Sequence, residues 1–301
     1  MNENVSAHLS TCIPTNGLLR NRRTARPDME RCIVFILTIP VSTDGLRAIK
    51  ADLTHKMPGV KSSHRCEAIA RGLGFRTYAA ALAAVQAGAT KAAQVRGDLF
   101  VAYLAEHAFT VSPAAFYHAA AKLALHDVCE RTRELTVWGI GSGRPKRKED
   151  GRWEDALDMD ANFQKARAEL LSDGAVEPFL ASLSFLRRVT PTKTIRKGTG
   201  SYRLKHIAEN FACSYPEGEK LGPTYVENGV LIAAALHAGF KMKTYVDSRG
   251  YDELNVSFNM SKPCLEELDG EVRPNGVRAR DRRRREAMKR NRHYPFGSAT
   301  L

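Results

Sequence analysis

The chain has 301 residues and six cysteines, yet no Cys-x-x-Cys pair: Cys12, Cys32, Cys66, Cys129, Cys213 and Cys264 all stand singly. Zinc ribbons and fingers need close ligand pairs, so that class is excluded. Long apolar runs are missing too. The longest, CIVFILTIPV from Cys32 to Val41, is half the roughly 20 residues of a membrane span and reads as a buried strand or short core segment. The N-terminus is poor in acids and carries several arginines, but it lacks the apolar stretch of a secretory signal. In that setting the scattered thiols read as reduced and the protein as cytoplasmic, with no membrane partner. A Gly-x4-Gly-Lys-Ser/Thr loop is absent, so nucleotide hydrolysis is not implied. No Ser-His-Asp or Cys-His arrangement can be argued from spacing, because such partners meet only in the fold. No cofactor is expected, and no catalytic residue is assigned.

Apolar residues make up 43% of the chain and aromatics 8%, which fits a globular protein with a real core rather than a disordered one. The net charge of +13 is unevenly placed. From Arg273 to Arg292 ten Lys/Arg face only Asp281 and Glu286, and the first 31 residues hold five Arg against Glu3, Asp28 and Glu30. The rest is close to neutral, so the chain reads as a nearly neutral body with a basic tail.

Residues 1–30 are polar and turn-rich, read as flexible, with Met29 offering a second start. Ser42-Thr43-Asp44 provides N-cap chemistry for a helix through about Lys56, stopped by Met57-Pro58-Gly59. Ser62 or Ser63 is expected to cap the next helix, and a third begins near Thr77. Ser112-Pro113 places a cap before a proline at the first position of a helix that runs through FYHAAAKLALHDVCERTREL. The segment 138–152, rich in Gly, Pro and charge, reads as a linker. It divides a helical N-terminal domain, 31–137, from a helical C-terminal domain, 153–270, that ends before a basic tail, 271–301. Helices are expected near 153–171, 175–188, 201–211 and 225–238, with a short strand in NVSFNM (Asn255–Met260). The fold class expected is mainly α with a small β component.

EAIARGLGFRTYAAALAAV, from Glu67 to Val85, has the Ala70 and Gly74 spacing of a helix-turn-helix, with Ile69, Leu73 and Phe75 as the apolar lock. Its second helix is almost pure alanine and offers nothing to bond a base edge; only Arg76 and Thr77 could reach a phosphate. A helical hairpin capped by Gly74 is the better reading. With SSHRCEAIARGLGFRTYAAALAA at its centre, the stretch from about Ser42 to Val85 resembles a small three-helix module of bacterial proteins. That module also precedes glyoxalase-type domains in some chains. The resemblance implies a helical accessory module, within about 42–90, and not glyoxalase chemistry, for which no metal-ligand pattern is present. Ala235–Tyr245 repeats the spacing of Ala70–Tyr78 with two residues inserted, and Lys241 and Lys243 give this second copy a charge that the first lacks.

Ahead of it lies a basic loop, with Lys193, Arg196 and Lys197 leading into Gly198-Thr199-Gly200-Ser201 and a helix carrying Arg203, Lys205 and His206. Exposed glycine N–H groups, a capping Ser201 and a helix N-terminus suit a phosphate. The segment from about 193 to 245, quoted as SYRLKHIAE…YVENGVLIAAALHAGF, resembles uncharacterised proteins of bacterial mobile elements. In the tail, RARDRRRREAMKRNRH presents Arg282, Arg283, Arg284, Arg285, Lys289 and Arg290, too dense in arginine to fold alone and suited to neutralising phosphates. No aromatic residue interleaves it before Tyr294, so little base stacking or sequence preference is expected.

The leading expectation is a non-catalytic accessory protein that binds the DNA or RNA backbone. One alternative is a metal-dependent phosphodiesterase or nuclease using His206, Glu209 and His237, the first two spaced for one helix face. A protein-binding adaptor with Ala-rich docking helices is the other. The acidic run EDGRWEDALDMD, Glu149–Asp160, reads as a helix start whose carboxylates favour the dipole.

Overall fold

A computed structural model describes residues 34–88, 92–195 and 198–292. The architecture is mainly α with a small β component: eleven α-helices and three two-stranded antiparallel sheets among the described residues.

The apolar run Phe35–Val41 contributes a strand, β1 (Thr38–Pro40), that pairs antiparallel with β2 (Ala92–Gln94) and buries Leu37, Ile39 and Val41. Helix α1 (Thr43–Lys56) starts where expected, with the Gly45 N–H donating to Ser42 Oγ at 3.0 Å. Leu46, Ile49 and Leu53 recur at helical spacing and face the core. Helix α2 (Ser62–Gly72) has Lys61 at its N-cap and no side-chain cap bond, so neither Ser62 nor Ser63 caps it. Its start is fixed instead by Arg65, whose guanidinium donates to the Met57 and Val60 carbonyls of the preceding turn.

Helix α3 (Tyr78–Gln86) is capped by Thr77, and Glu67 accepts from the Tyr78 N–H at 3.1 Å. Gly74 closes α2 at φ +79°, with Phe75 N–H donating to Ala70 O (2.8 Å) and Gly74 N–H to Arg71 O (2.9 Å). These two bonds form a Schellman cap, which requires a left-handed residue that glycine adopts without cost. The repeat downstream has the same geometry: Gly239 is at φ +84°, Phe240 N–H bonds Ala235 O and Gly239 N–H bonds Leu236 O. Beyond the cap the two copies diverge, one into α3 and the other into a strand.

Helix α4 (Gly97–Glu106) was not legible beforehand. It is apolar around most of its circumference, lacks a capping side chain, and crosses α2 where Gly72 leaves room for Phe116 and Phe100. The rings of Phe100 and Phe116 stack at 4.6 Å there. Helix α5 (Ala114–Arg131) begins one residue later than expected: Pro113 is the N-cap, and Ser112 Oγ accepts from the Ala114 N–H.

Helices α5, α7 (Val176–Leu186) and α9 (Asn228–His237) form the centre; α7 is buried except at Glu177 and α9 is buried from Asn228 to Ala235. A helix apolar all round belongs inside. Around them lie α6 (Ala156–Leu170), α8 (Ser201–Ala208) and α10 (Lys262–Val272). The acidic run starts α6 through a capping box, with Asp155 and Asp158 each accepting from the other's backbone N–H.

Residues 138–152, where a linker was expected, lie within the one compact unit that holds the described residues. A hairpin, β3 (Leu135–Thr136) with β4 (Gly139–Ile140), leads into this segment and is buried against α9. The third sheet pairs β5 (Met242–Lys243) with β6 (Ser257–Phe258), and β6 lies inside the stretch where a strand was expected. The basic tail is helical as α11 (Val277–Arg292). Arginine is a good helix former, Arg282 and Glu286 pair at 3.4 Å, and Arg282 Nη1 donates to the Glu266 carbonyl of α10 at 3.1 Å.

Candidate nucleic-acid interface

The glycine loop and the arginine tail, separate in sequence, share one cleft of about 550 Å³. Its walls include Gly198 and Gly200 from the loop, Arg203 from α8, Lys262 from α10, and Arg282 and Arg285 from α11. The loop is pinned to β6. Gly200 bridges Ser257, Thr199 Oγ1 donates to Phe258 O (2.7 Å), and the Ser201 N–H donates to Val256 O (2.8 Å). Gly198, at φ +92° and exposed, has open space where a Cβ would sit.

Two expected contacts are corrected here. Ser201 is not a cap: Gly200 holds that position, and the buried Ser201 hydroxyl accepts from the Val256 N–H at 3.1 Å. Lys205 is 5% exposed and points inward. Its ammonium donates to the Val226 carbonyl at 3.3 Å and to Glu209 at 3.5 Å, and it lies 4.6 Å from the centre of the Tyr225 ring. A buried ammonium so satisfied is a structural group, unavailable to a phosphate.

Arg203 sits at the cleft floor, its Nη2 donating to Asp269 Oδ2 at 3.1 Å while its Nε is buried without a partner. Asp269, itself buried, also accepts from Arg273 Nε at 2.8 Å, so one carboxylate orients two guanidiniums. The cleft has acids as well: Glu266, 3.9 Å from Lys262, and Asp281. Tyr202, 56% exposed, and His206 line the adjoining hollow beside Val277 of α11. The alternation of basic and apolar residues in SYRLKH conceals Tyr202; only helix phase reveals that it faces out while Leu204 and Ile207 face in.

On α11, Arg283, Arg284, Arg285, Lys289 and Arg290 are exposed, with Arg283 donating to the Pro274 carbonyl. Lys193, Lys241 and Lys243 are exposed but lie outside the cleft walls. Lys241 N–H donates to Asn259 Oδ1 (2.6 Å), and the Lys243 ammonium stands 5.4 Å over the Tyr245 ring. Arg196 and Lys197 lie outside the described residues.

The three residues of the nuclease alternative are not gathered. His206 Nδ1 bonds Glu209 Oε1 at 2.6 Å, whereas His237 packs edge-on against Phe179 at 5.6 Å. Among the described residues no group of three His, Cys, Asp or Glu is placed to hold a metal ion. Also among the described residues, no helix is long and apolar enough to cross a membrane. Cys66, Cys129 and Cys264 are free thiols; burial pushes Cys129 up to about 11, which leaves it inert at neutral pH.

No known protein family matches the chain, and neither does any curated protein or any solved structure.

Proposed function

We propose that the protein is a non-catalytic, cytoplasmic accessory factor that binds the phosphate backbone of DNA or RNA, as part of a bacterial mobile element. The observation that carries this reading is the shared cleft. Arg282 and Arg285 of the tail helix stand across from the Gly198–Gly200 loop and Arg203, so the two most basic segments of the sequence act on one surface. A phosphate entering there meets guanidiniums from two helices, and the exposed Arg284, Lys289 and Arg290 extend the positive field along α11. The resemblance of residues 193–245 to proteins of mobile elements supports the context.

Removal of residues 273–301 is expected to lower DNA or RNA affinity severalfold and to flatten its dependence on salt. Fluorescence anisotropy on labelled single- and double-stranded oligonucleotides, titrated with salt, measures both. No binding by the intact protein, or binding unchanged by the deletion, refutes the reading.

A further inference from the structure

The chain has two tryptophans, and both are exposed: Trp138 at 54% and Trp153 at 67%. Water is an unfavourable surrounding for an indole, the largest aromatic surface a protein can bury. At Trp138 the fold fixes the backbone beneath the exposed ring. Val137 and Trp138 form the two-residue turn between β3 and β4. The Val137 N–H donates to Ala166 O of α6 at 3.1 Å, and the Gly229 N–H of α9 donates to Val137 O at 2.9 Å. Asn228 Nδ2 donates to Trp138 O at 2.9 Å. Two glycines permit this approach, since a Cβ on Gly229 would lie 1.8 Å from Thr136 O and one on Gly139 would lie 1.9 Å from Leu254 O.

The indole borders a cleft of about 330 Å³ whose opposite wall carries Phe163 and Lys165 of α6. The Gly141-Ser142-Gly143 turn, with both glycines at positive φ, and Lys146 complete the rim. The side chains of Lys146 and Lys165 are exposed, and among the described residues neither has an acidic partner. Arg144 stands beside them, oriented by Asp247 at 2.5 Å. Two acids, Glu154 and Glu169, also line the cleft; the Glu154 oxygens accept from the Lys146 N–H and from Asn162.

An exposed indole on a pinned backbone, beside cations that have no acidic partner among the described residues, selects a ligand with flat apolar faces and negative charge. Nucleic acid has both, but in a duplex each base face is covered by its neighbours, so only unpaired bases can stack on a side chain. Lysine is depleted at the cores of protein–protein interfaces, which argues against a protein occupant. We propose that the Trp138 cleft is a stacking site for unpaired bases of single-stranded nucleic acid, with Lys146 and Lys165 on its phosphates. Leu254 lines this cleft and Ser257 lines the arginine cleft. Three residues of extended chain span at most about 10 Å, so one strand is long enough to reach both. The proposal rests on the nucleic-acid reading above and adds a strand preference to it.

The test uses the full chain with Trp153→Phe, which leaves Trp138 as the sole indole. Its emission and the anisotropy of a labelled oligonucleotide are followed together, for a single strand and for the duplex of the same sequence. The single strand should quench Trp138 while the duplex binds without quenching. Trp138→Ala should weaken single-strand affinity roughly tenfold and leave duplex affinity unchanged; Trp138→Phe, which keeps a ring, should fall between. Lys146→Ala with Lys165→Ala, two exposed changes that leave the hairpin intact, should weaken single-strand binding as well. If single strands bind without altering Trp138 emission, or if single strand and duplex quench alike, the site is wrong while the nucleic-acid reading stands. If quenching occurs without nucleic acid as the protein concentration rises, the cleft joins copies of this chain and the proposal fails. If the intact protein binds neither strand nor duplex, both readings fall.

Discussion

At the scale of single residues, the neighbours of a charge decide its role more than its position in a basic stretch. Lys205 and Arg203 are two apart on α8, yet one is committed to the Val226 carbonyl and the other opens onto the cleft. Lys205→Met is therefore expected to leave nucleic-acid affinity unchanged. It should cost about 1 kcal/mol of stability through the lost bonds, visible as a lower melting temperature. Asp269→Asn should cost more, about 2 kcal/mol, because it weakens the anchorage of Arg203 and Arg273 together. Gly229→Ala places a methyl 1.8 Å from the Thr136 carbonyl oxygen and should destabilise by about 3 kcal/mol. Gly59→Ala, with nothing within 4 Å, should be close to neutral in the same thermal melt. Sequence reading identified the basic residues and the capping glycines Gly74 and Gly239. It could not show that Lys205 is buried, because that depends on Val226 and Tyr225, some twenty residues away.

At the scale of elements, periodicity and caps carried most of the information. Helices α1, α3, α6, α7, α8 and α9 fall within the expected segments; Ser42, Thr77 and Asp155 cap α1, α3 and α6, and Gly239 follows the end of α9. Helix α4 escaped because Arg96 gives no side-chain cap and its apolar residues are too many to show a stripe. The β3–β4 hairpin escaped because two-residue strands are too short for alternation to register, and its glycines resembled those of a linker. The tail illustrates a related limit: charge density suggests repulsion, while contacts with α10 favour helix. Because α11 projects Arg284 and Arg285 into solvent, replacing both by alanine should leave the fold intact. It should also reduce the salt slope for duplex DNA by about 0.9 per arginine, read from affinities at several salt concentrations.

At the scale of the whole molecule, the two halves of the chain interlock through buried titratable groups, and this sets the response to pH. A loop carrying Tyr215 and Glu217 lies against α5: Tyr215 bonds His118 at 2.8 Å and Tyr117 donates to Glu217 at 3.0 Å. Burial pushes His118 below 6.5, assisted by Lys56 and opposed by Glu177, Asp52 and Asp173. Burial likewise lowers His237, assisted by Arg131 and opposed by Asp127. The unfolded chain then takes up protons that the folded chain refuses, so this stability is present above 6.5 and lost as the pH falls toward the lowered values. Burial raises Glu217, which works in the opposite sense: its contribution is present in acid and lost as the pH rises through its folded value. The melting temperature should accordingly drop between about pH 7.5 and about pH 5.5, and the drop should shrink in a His118→Gln, His237→Phe variant.

The bonds that hold the Trp138 turn to α9 come from Asn228 and Gly229, ninety residues further along the chain. At roughly 5–20 residues per second of synthesis, that interval is about 5–18 s. Throughout it the hairpin has been made but its clamp has not. The N-terminal half is therefore not a finished unit when it leaves the ribosome, since α5 still lacks α7 and α9. A chain stopped near residue 137 would pack α5 on α1, α4 and β1 but leave the side that meets α7 and α9 uncovered.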